Sequence, residues 1–82
     1  MTCIGEPISV IVSFGGFPNK MRPVRFRWSG RVFDIKEITY HWVSKEGTRV
    51  LHHFSVTAGG SLYELVFDSQ RLLWSLERIE TN

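Results

Sequence analysis

The chain has 82 residues, 43% of them hydrophobic and 22% charged, with a formal net charge of +2. That leaves room for one domain, residues 1–82, with a small core. It excludes a disordered chain, a coiled coil, a collagen-like repeat and, with Cys3 the single cysteine, a disulfide scaffold.

The chain then reads as a series of strands. From Pro7 to Phe14, Ile8, Val10, Val12 and Phe14 alternate with Ser9, Ile11 and Ser13, the period-two signature of a half-buried strand with the even residues inward. Two glycines, a proline and an asparagine between Gly15 and Lys20 predict a loop. Val24, Phe26 and Trp28 then share one face, and Arg25 and Arg27 share the other; Ser29-Gly30 turns the chain. Between Arg31 and Ser44 the phase changes. Phe33 and Ile35 are odd, while Ile38, Tyr40 and Trp42 are even, so a continuous strand would expose one set. A bulge or sharp bend at Lys36-Glu37 restores the phase.

Lys45-Glu46-Gly47-Thr48 predicts a tight hairpin loop. Arg49 to Thr57 follows, with Val50, His52, Phe54 and Val56 opposite Leu51, His53 and Ser55. After Ala58-Gly59-Gly60-Ser61, Leu62 to Asp68 sets Tyr63, Leu65 and Phe67 against Leu62, Glu64 and Val66. Asp68 to Arg71 is the last turn. Leu72 to Ile79 reads as a closing strand, with Trp74 and Leu76 on one face. A helix capped by Asp68-Ser69 is the competing reading of this segment. The short linkers pair each strand with its predecessor. The expected fold is all-β, a single antiparallel meander of five or six strands curled into an SH3-like or partly open barrel, which hides its edges. Its core would hold Val10, Val12, Val24, Phe26, Trp28, Ile35, Phe54 and Trp74. The 13% aromatic content suits a thin β core filled by large flat rings.

Phe26-Arg27-Trp28-Ser29-Gly30-Arg31-Val32-Phe33, Ile38, Trp42, Arg49-Val50, Tyr63-Glu64-Leu65 and Trp74-Ser75-Leu76-Glu77-Arg78-Ile79 together resemble an uncharacterised family of short bacterial domains. Its pattern is a W-x-G-R-aromatic hairpin, a downstream Trp, a Y-[DE]-L strand and a closing W-x-L-x-R-[VI] strand. The resemblance covers Pro23 to Ile79. Some members look related to segments associated with mutasome proteins similar to Y-family DNA polymerases, which implies a connection with DNA repair. The family carries no catalytic residues to transfer.

Charge is unevenly distributed. Lys20, Arg22, Arg25, Arg27, Arg31 and Lys36, opposed only by Asp34, make a segment of +5; the rest of the chain is −3. On a hairpin these side chains form a candidate phosphate-tracking surface, for which the planar arginine fork is well suited. The same stripe also reads as a solvated outer face or a dock for an acidic protein. Tyr40 and Trp42 could stack on bases beside it, although their parity places them in the core with His41 outward. His41, His52 and His53 lack metal-binding spacing, and adjacent His52 and His53 point to opposite faces; His52 reads as a hydrogen-bonded, half-buried residue. No nucleophile motif, phosphate loop or acid pair set in a pocket is present.

The expected function is therefore binding, without catalysis, metal or cofactor. The expected partner is nucleic acid reached through the basic hairpin or, alternatively, an acidic protein surface, and the chain is expected to be a monomer or a weak homodimer joined along the strand Leu62–Asp68. The lone cysteine and an N-terminus without a signal-like apolar stretch point to the cytoplasm, with no membrane partner.

Overall fold

The alternation in the sequence becomes strand almost throughout. The computed structural model describes residues 2–15 and 20–81, so most of the predicted Gly15–Lys20 loop, and the side chains of Cys3 and Lys20, lie outside the described residues. The strands are β1 (Thr2–Gly15), β2 (Lys20–Trp28), β3 (Arg31–Asp34), β4 (Glu37–Glu46), β5 (Arg49–Ala58), β6 (Ser61–Asp68) and β7 (Leu73–Thr81). Among the described residues no helix is long and apolar enough to cross a membrane.

All seven strands belong to one antiparallel sheet in the order β3-β2-β1-β7-β6-β5-β4. Sequence neighbours pair as short turns require, with two exceptions. β1 pairs with β7, which sets the two ends of the chain side by side. β3 and β4 stand at opposite edges, yet only Ile35 and Lys36 separate them. The three Cα steps from Asp34 to Glu37 span at most about 11 Å, so the sheet must curl until its edges meet at this corner. Ring contacts lead to the same conclusion. Phe26 on β2 lies 5.1 Å from Tyr63 on β6, centroid to centroid, where a flat sheet would hold strands three apart at about 14 Å.

The phase change predicted between Ile35 and Ile38 is this corner. The Ile35 N–H donates to the Val24 carbonyl at 3.0 Å and the Lys36 N–H to the Thr57 carbonyl at 2.8 Å. The chain thus leaves β2 and joins β5 within two residues. What reads in the sequence as one long strand is two, giving seven strands rather than five or six. β3 and β4 pair with β2 and β5 but not with each other, so the result is an open, curled meander and not a closed SH3-like barrel.

The curled inner face holds Phe26, Phe54, Val56, Ala58, Tyr63, Leu65, Trp74 and Leu76, with Val10, Val12, Trp28 and Ile35 packed against them. Val24 departs from the expected core and is 41% exposed. Ile11 pairs with Arg25 but Val12 with Pro23, so Val24 is an extra residue, bulged out of register. Phe14 is exposed as well. Pairing of β1 with β7 ends at Ile8–Trp74, and Phe14 lies six residues beyond it, near the end of the β1–β2 ribbon. The last segment is a strand because both its edges are used, by β1 and by β6; a helix there would leave one edge of each neighbour unpaired. The same pairing makes β6 an interior strand, so self-association along Leu62–Asp68 has no free edge to use. The free edges belong to β3 and β4.

Candidate functional site

The bulge at Val24 organises the basic hairpin. Met21 packs inward and Pro23 is buried, as is Phe26 further on, with Trp28 half-buried beyond it, so the inward set changes from odd to even numbers across Val24. Pro23 suits this place, since a strand proline is tolerated at a bulge or edge. Arg22 thereby joins Arg25 and Arg27 on the outer face, opposite Ser13, Ile11 and Ser9 of β1 in turn. At about 3.3 Å per residue the three cations run along roughly 16 Å of strand.

Arg25 faces Asp34 on β3, and its Nε donates to the carboxylate Oδ1. Both side chains are well exposed, so the pair holds the guanidinium by no more than about 1 kcal/mol and an incoming phosphate can compete for it. Exposed Ile11, Val24 and Val32 stand between the arginines. Arg31 belongs elsewhere, with its guanidinium 5.8 Å above the Phe33 ring, at the inward parity of β3. Lys36 sits at the corner. Lys20 pairs with Gly15 through the backbone, and its side chain lies outside the described residues. The sequence-predicted set thus divides into an outer line of Arg22, Arg25 and Arg27, a corner lysine and a separate Arg31.

The aromatic set is turned over relative to expectation. Ile38 pairs with Val56 but Tyr40 with Ser55, so Thr39 is a second bulge. Past it, Tyr40 and Trp42 face outward; Tyr40 is 65% exposed, its ring 5.4 Å from that of Trp42, and Trp42 stacks on His53 at 4.8 Å. His41, expected outward, instead lies flat on the inner Phe54 ring, 4.5 Å away with planes 10° apart.

A cleft of about 710 Å³ opens where the sheet fails to close. It is lined by Met21 and Arg22 of β2, the corner Lys36, Glu37, Ile38 and His41 of β4, and His52 and Phe54 of β5. β3 stops at Asp34, so the first residues of β2 face the free edge of β4 with no strand between them. Arg22 therefore belongs both to the outer arginine line and to this cleft.

On the outer face of β4 to β7 the strands assemble a polar line that sequence reading missed. Ser44 Oγ and His53 Nε2 are 2.7 Å apart, His53 Nδ1 and Glu64 Oε2 3.5 Å, and Arg78 Nε donates to Glu64 Oε1 at 3.2 Å. The order is that of a hydroxyl, a base and an orienting carboxylate. Ser44, however, lies on a regular stretch of β4 opposite Leu51, unlike the strained turn that exposes a hydrolase serine. The line satisfies half-buried polar groups around Leu51 and Val66, which are buried on this face. His52 and His53 point to opposite faces, as alternation requires, and among the described residues no three His, Cys, Asp or Glu side chains gather to hold a metal ion.

Asp68 closes the β6–β7 loop. Its Oδ1 accepts the backbone N–H groups of Arg71 and Gln70 at 3.1 and 3.0 Å, and its Oδ2 accepts Arg49 Nε at 3.0 Å. The Arg71 N–H above all, then Arg49 and the Gln70 N–H, hold its carboxyl below the usual aspartate value against the opposing effect of burial. Comparison with protein-family models, with curated proteins and with solved structures finds no match to this chain.

Proposed function

We propose that this domain is a binding module that takes nucleic acid along the outer face of β2, with Arg22, Arg25 and Arg27 contacting successive phosphates. The observation that carries the reading is the bulge at Val24, which adds a third cation to a pair already spaced about 6.6–7 Å apart. Guanidinium groups on a rigid strand need little ordering to meet phosphate oxygens, and the local charge of +5 attracts a polyanion although the whole chain is close to neutral. Lys36 at the corner and Arg31 over Phe33 lie off this line and add to the local positive field. Binding of this kind needs no cofactor and no catalytic group.

Titration of labelled single-stranded and duplex oligonucleotides tests the reading. Three phosphate contacts on a single strand give a slope of log K against log salt near −2, hence a loss of roughly 20-fold between 50 and 200 mM salt. Changing Arg25 and Arg27 together to Glu removes the binding and leaves the fold, because both side chains are exposed. Failure of every oligonucleotide to bind more tightly than about 10⁻⁴ M at low salt refutes the reading.

A second reading has its own observation. Ile11, Val24 and Val32 are exposed among the arginines, and apolar and basic groups interleaved on one face also fit an acidic protein partner. Such a complex shows a weaker salt dependence and is disrupted by Ile11→Ser and Val32→Ser, which leave phosphate contacts untouched.

A further inference from the structure

The seam between β2 and β4 has a shape and a chemistry that the arginine line does not use. We infer that the cleft lined by Met21, Arg22, Ile38, His41, His52 and Phe54 receives one base of a single-stranded nucleic acid whose backbone lies on Arg22, Arg25 and Arg27. This rests on the reading above and extends it from phosphate contact to selection of single strands.

The physical case begins with the gap itself. Ile35 and Lys36 carry the chain from one edge of the sheet to the other, and because β3 ends at Asp34 no strand stands between the start of β2 and β4. This gap makes the inner surface reachable from outside, and there the floor is aromatic. His41 and Phe54 lie parallel at 4.5 Å, and His52 continues the stack 6.0 Å from His41 with planes 13° apart. Met21 and Ile38 supply apolar walls. A flat heterocycle presents an apolar face to such walls and a polar edge to Glu37.

The open cleft's volume of about 710 Å³ is large enough to receive a ligand of nucleotide size. Arg22 and Lys36 stand at its lining, where the phosphate attached to an inserted base would lie. Arg22 is also the end of the outer line, so a strand tracked from Arg27 through Arg25 arrives at the mouth of the cleft. A duplex keeps its bases stacked and paired and cannot deliver one without unpairing it; a single strand can.

The test uses the whole chain and three probes: a ten-nucleotide oligo(dA), a decamer of the same backbone made of abasic tetrahydrofuran units, and deoxyadenosine monophosphate alone. The expected result is that oligo(dA) binds about 5- to 150-fold more tightly than the abasic decamer, the range that stacking of one base on side chains confers. His41→Ala removes most of that ratio and leaves the salt slope near −2. The mononucleotide shifts the amide resonances of Ile38, His41 and Phe54 in an NMR titration. Equal binding of oligo(dA) and the abasic decamer overturns the cleft proposal while the arginine reading stands. If no oligonucleotide binds, the arginine reading falls, and the mononucleotide decides the cleft alone: shifts at Ile38, His41 and Phe54 support a nucleotide pocket, and their absence overturns it. Because the abasic comparison uses the unaltered protein, the outcome does not depend on how the His41 variant folds.

Discussion

Curling of the sheet makes an energetic prediction that a flat sheet does not. Phe26 on β2 and Tyr63 on β6 are both buried, and their rings meet edge to face at 5.1 Å and 66° although two strands stand between theirs in the sheet. An aromatic pair of this geometry is worth about 0.5–1.5 kcal/mol beyond the area it buries. Residues more than about 7–10 Å apart instead add within about 0.3–0.5 kcal/mol, and a flat sheet would put these two at about 14 Å. Phe26→Leu, Tyr63→Leu and the double variant form the cycle. Leucine keeps the core apolar and much of its volume, so each single change should cost roughly 1–3 kcal/mol. A domain of this size has a total stability of about 4–12 kcal/mol, so the double variant should stay folded enough for measurement. Urea unfolding followed by tryptophan fluorescence gives the free energies. The double variant should lose less than the sum of the singles, by about 0.5–1.5 kcal/mol. Additivity within error would show that the two rings do not touch, and would refute the curl and with it the cleft.

Three further outcomes follow from particular positions. Val24→Thr should change stability by less than about 0.5 kcal/mol in thermal unfolding, whereas the inward Val56, fully buried, should cost at least about 1 kcal/mol when changed to Thr, since a hydroxyl enters the core without a partner; equal costs would mean that Val24 is not bulged. Asp68→Asn should lower the melting temperature at neutral pH and flatten its dependence on pH. The native carboxyl titrates below its unfolded value, so the stability it contributes is complete above the unfolded value, near 3.9, and is lost as pH falls through the lower native one. An unchanged acid limb in the variant would remove Asp68 as its cause. Ser29 holds φ at +53° in a two-residue turn ahead of Gly30 at +75°. Asparagine tolerates that conformation better, so Ser29→Asn should raise stability by about 0.5 kcal/mol, and a loss would show that the Ser29 side chain is needed there.

How much of this was legible from residues alone differs from place to place. Alternation in Arg49–Thr57 and Leu62–Asp68 names the inward set of β5 and β6, because both strands are regular where they pair with each other. The conflict of parity between Ile35 and Ile38 locates the corner, since apolar side chains on both sides of a break must reach the same core. Pro23 was the available sign of the bulge at Val24. A sign of the turned-over Tyr40 and Trp42 was present too. The two-residue turn at Gly47-Thr48 sets Glu46 against Arg49, hence Trp42 against His53, on the face opposite Phe54. Parity counted forward from Ile38 passes through Thr39 and misses this, whereas register counted back from the turn does not.

Sequence by itself determined the alternating strands, the turns at Ser29-Gly30, Gly47-Thr48 and Gly59-Gly60, a break in phase between Ile35 and Ile38 and the concentration of positive charge between Lys20 and Lys36. These are local properties, set by alternation, by turn residues and by composition. Tertiary structure alone decided that β1 pairs with β7, that β6 is interior, that the seam stays open, that Arg22 joins Arg25 and Arg27 while Arg31 does not, and that Ser44, His53 and Glu64 meet. Each of these depends on which strands lie side by side and on where one extra residue shifts the register. A single bulge reverses the facing of every side chain beyond it, and long-range pairing is chosen by the closure of the whole core rather than by any segment within it.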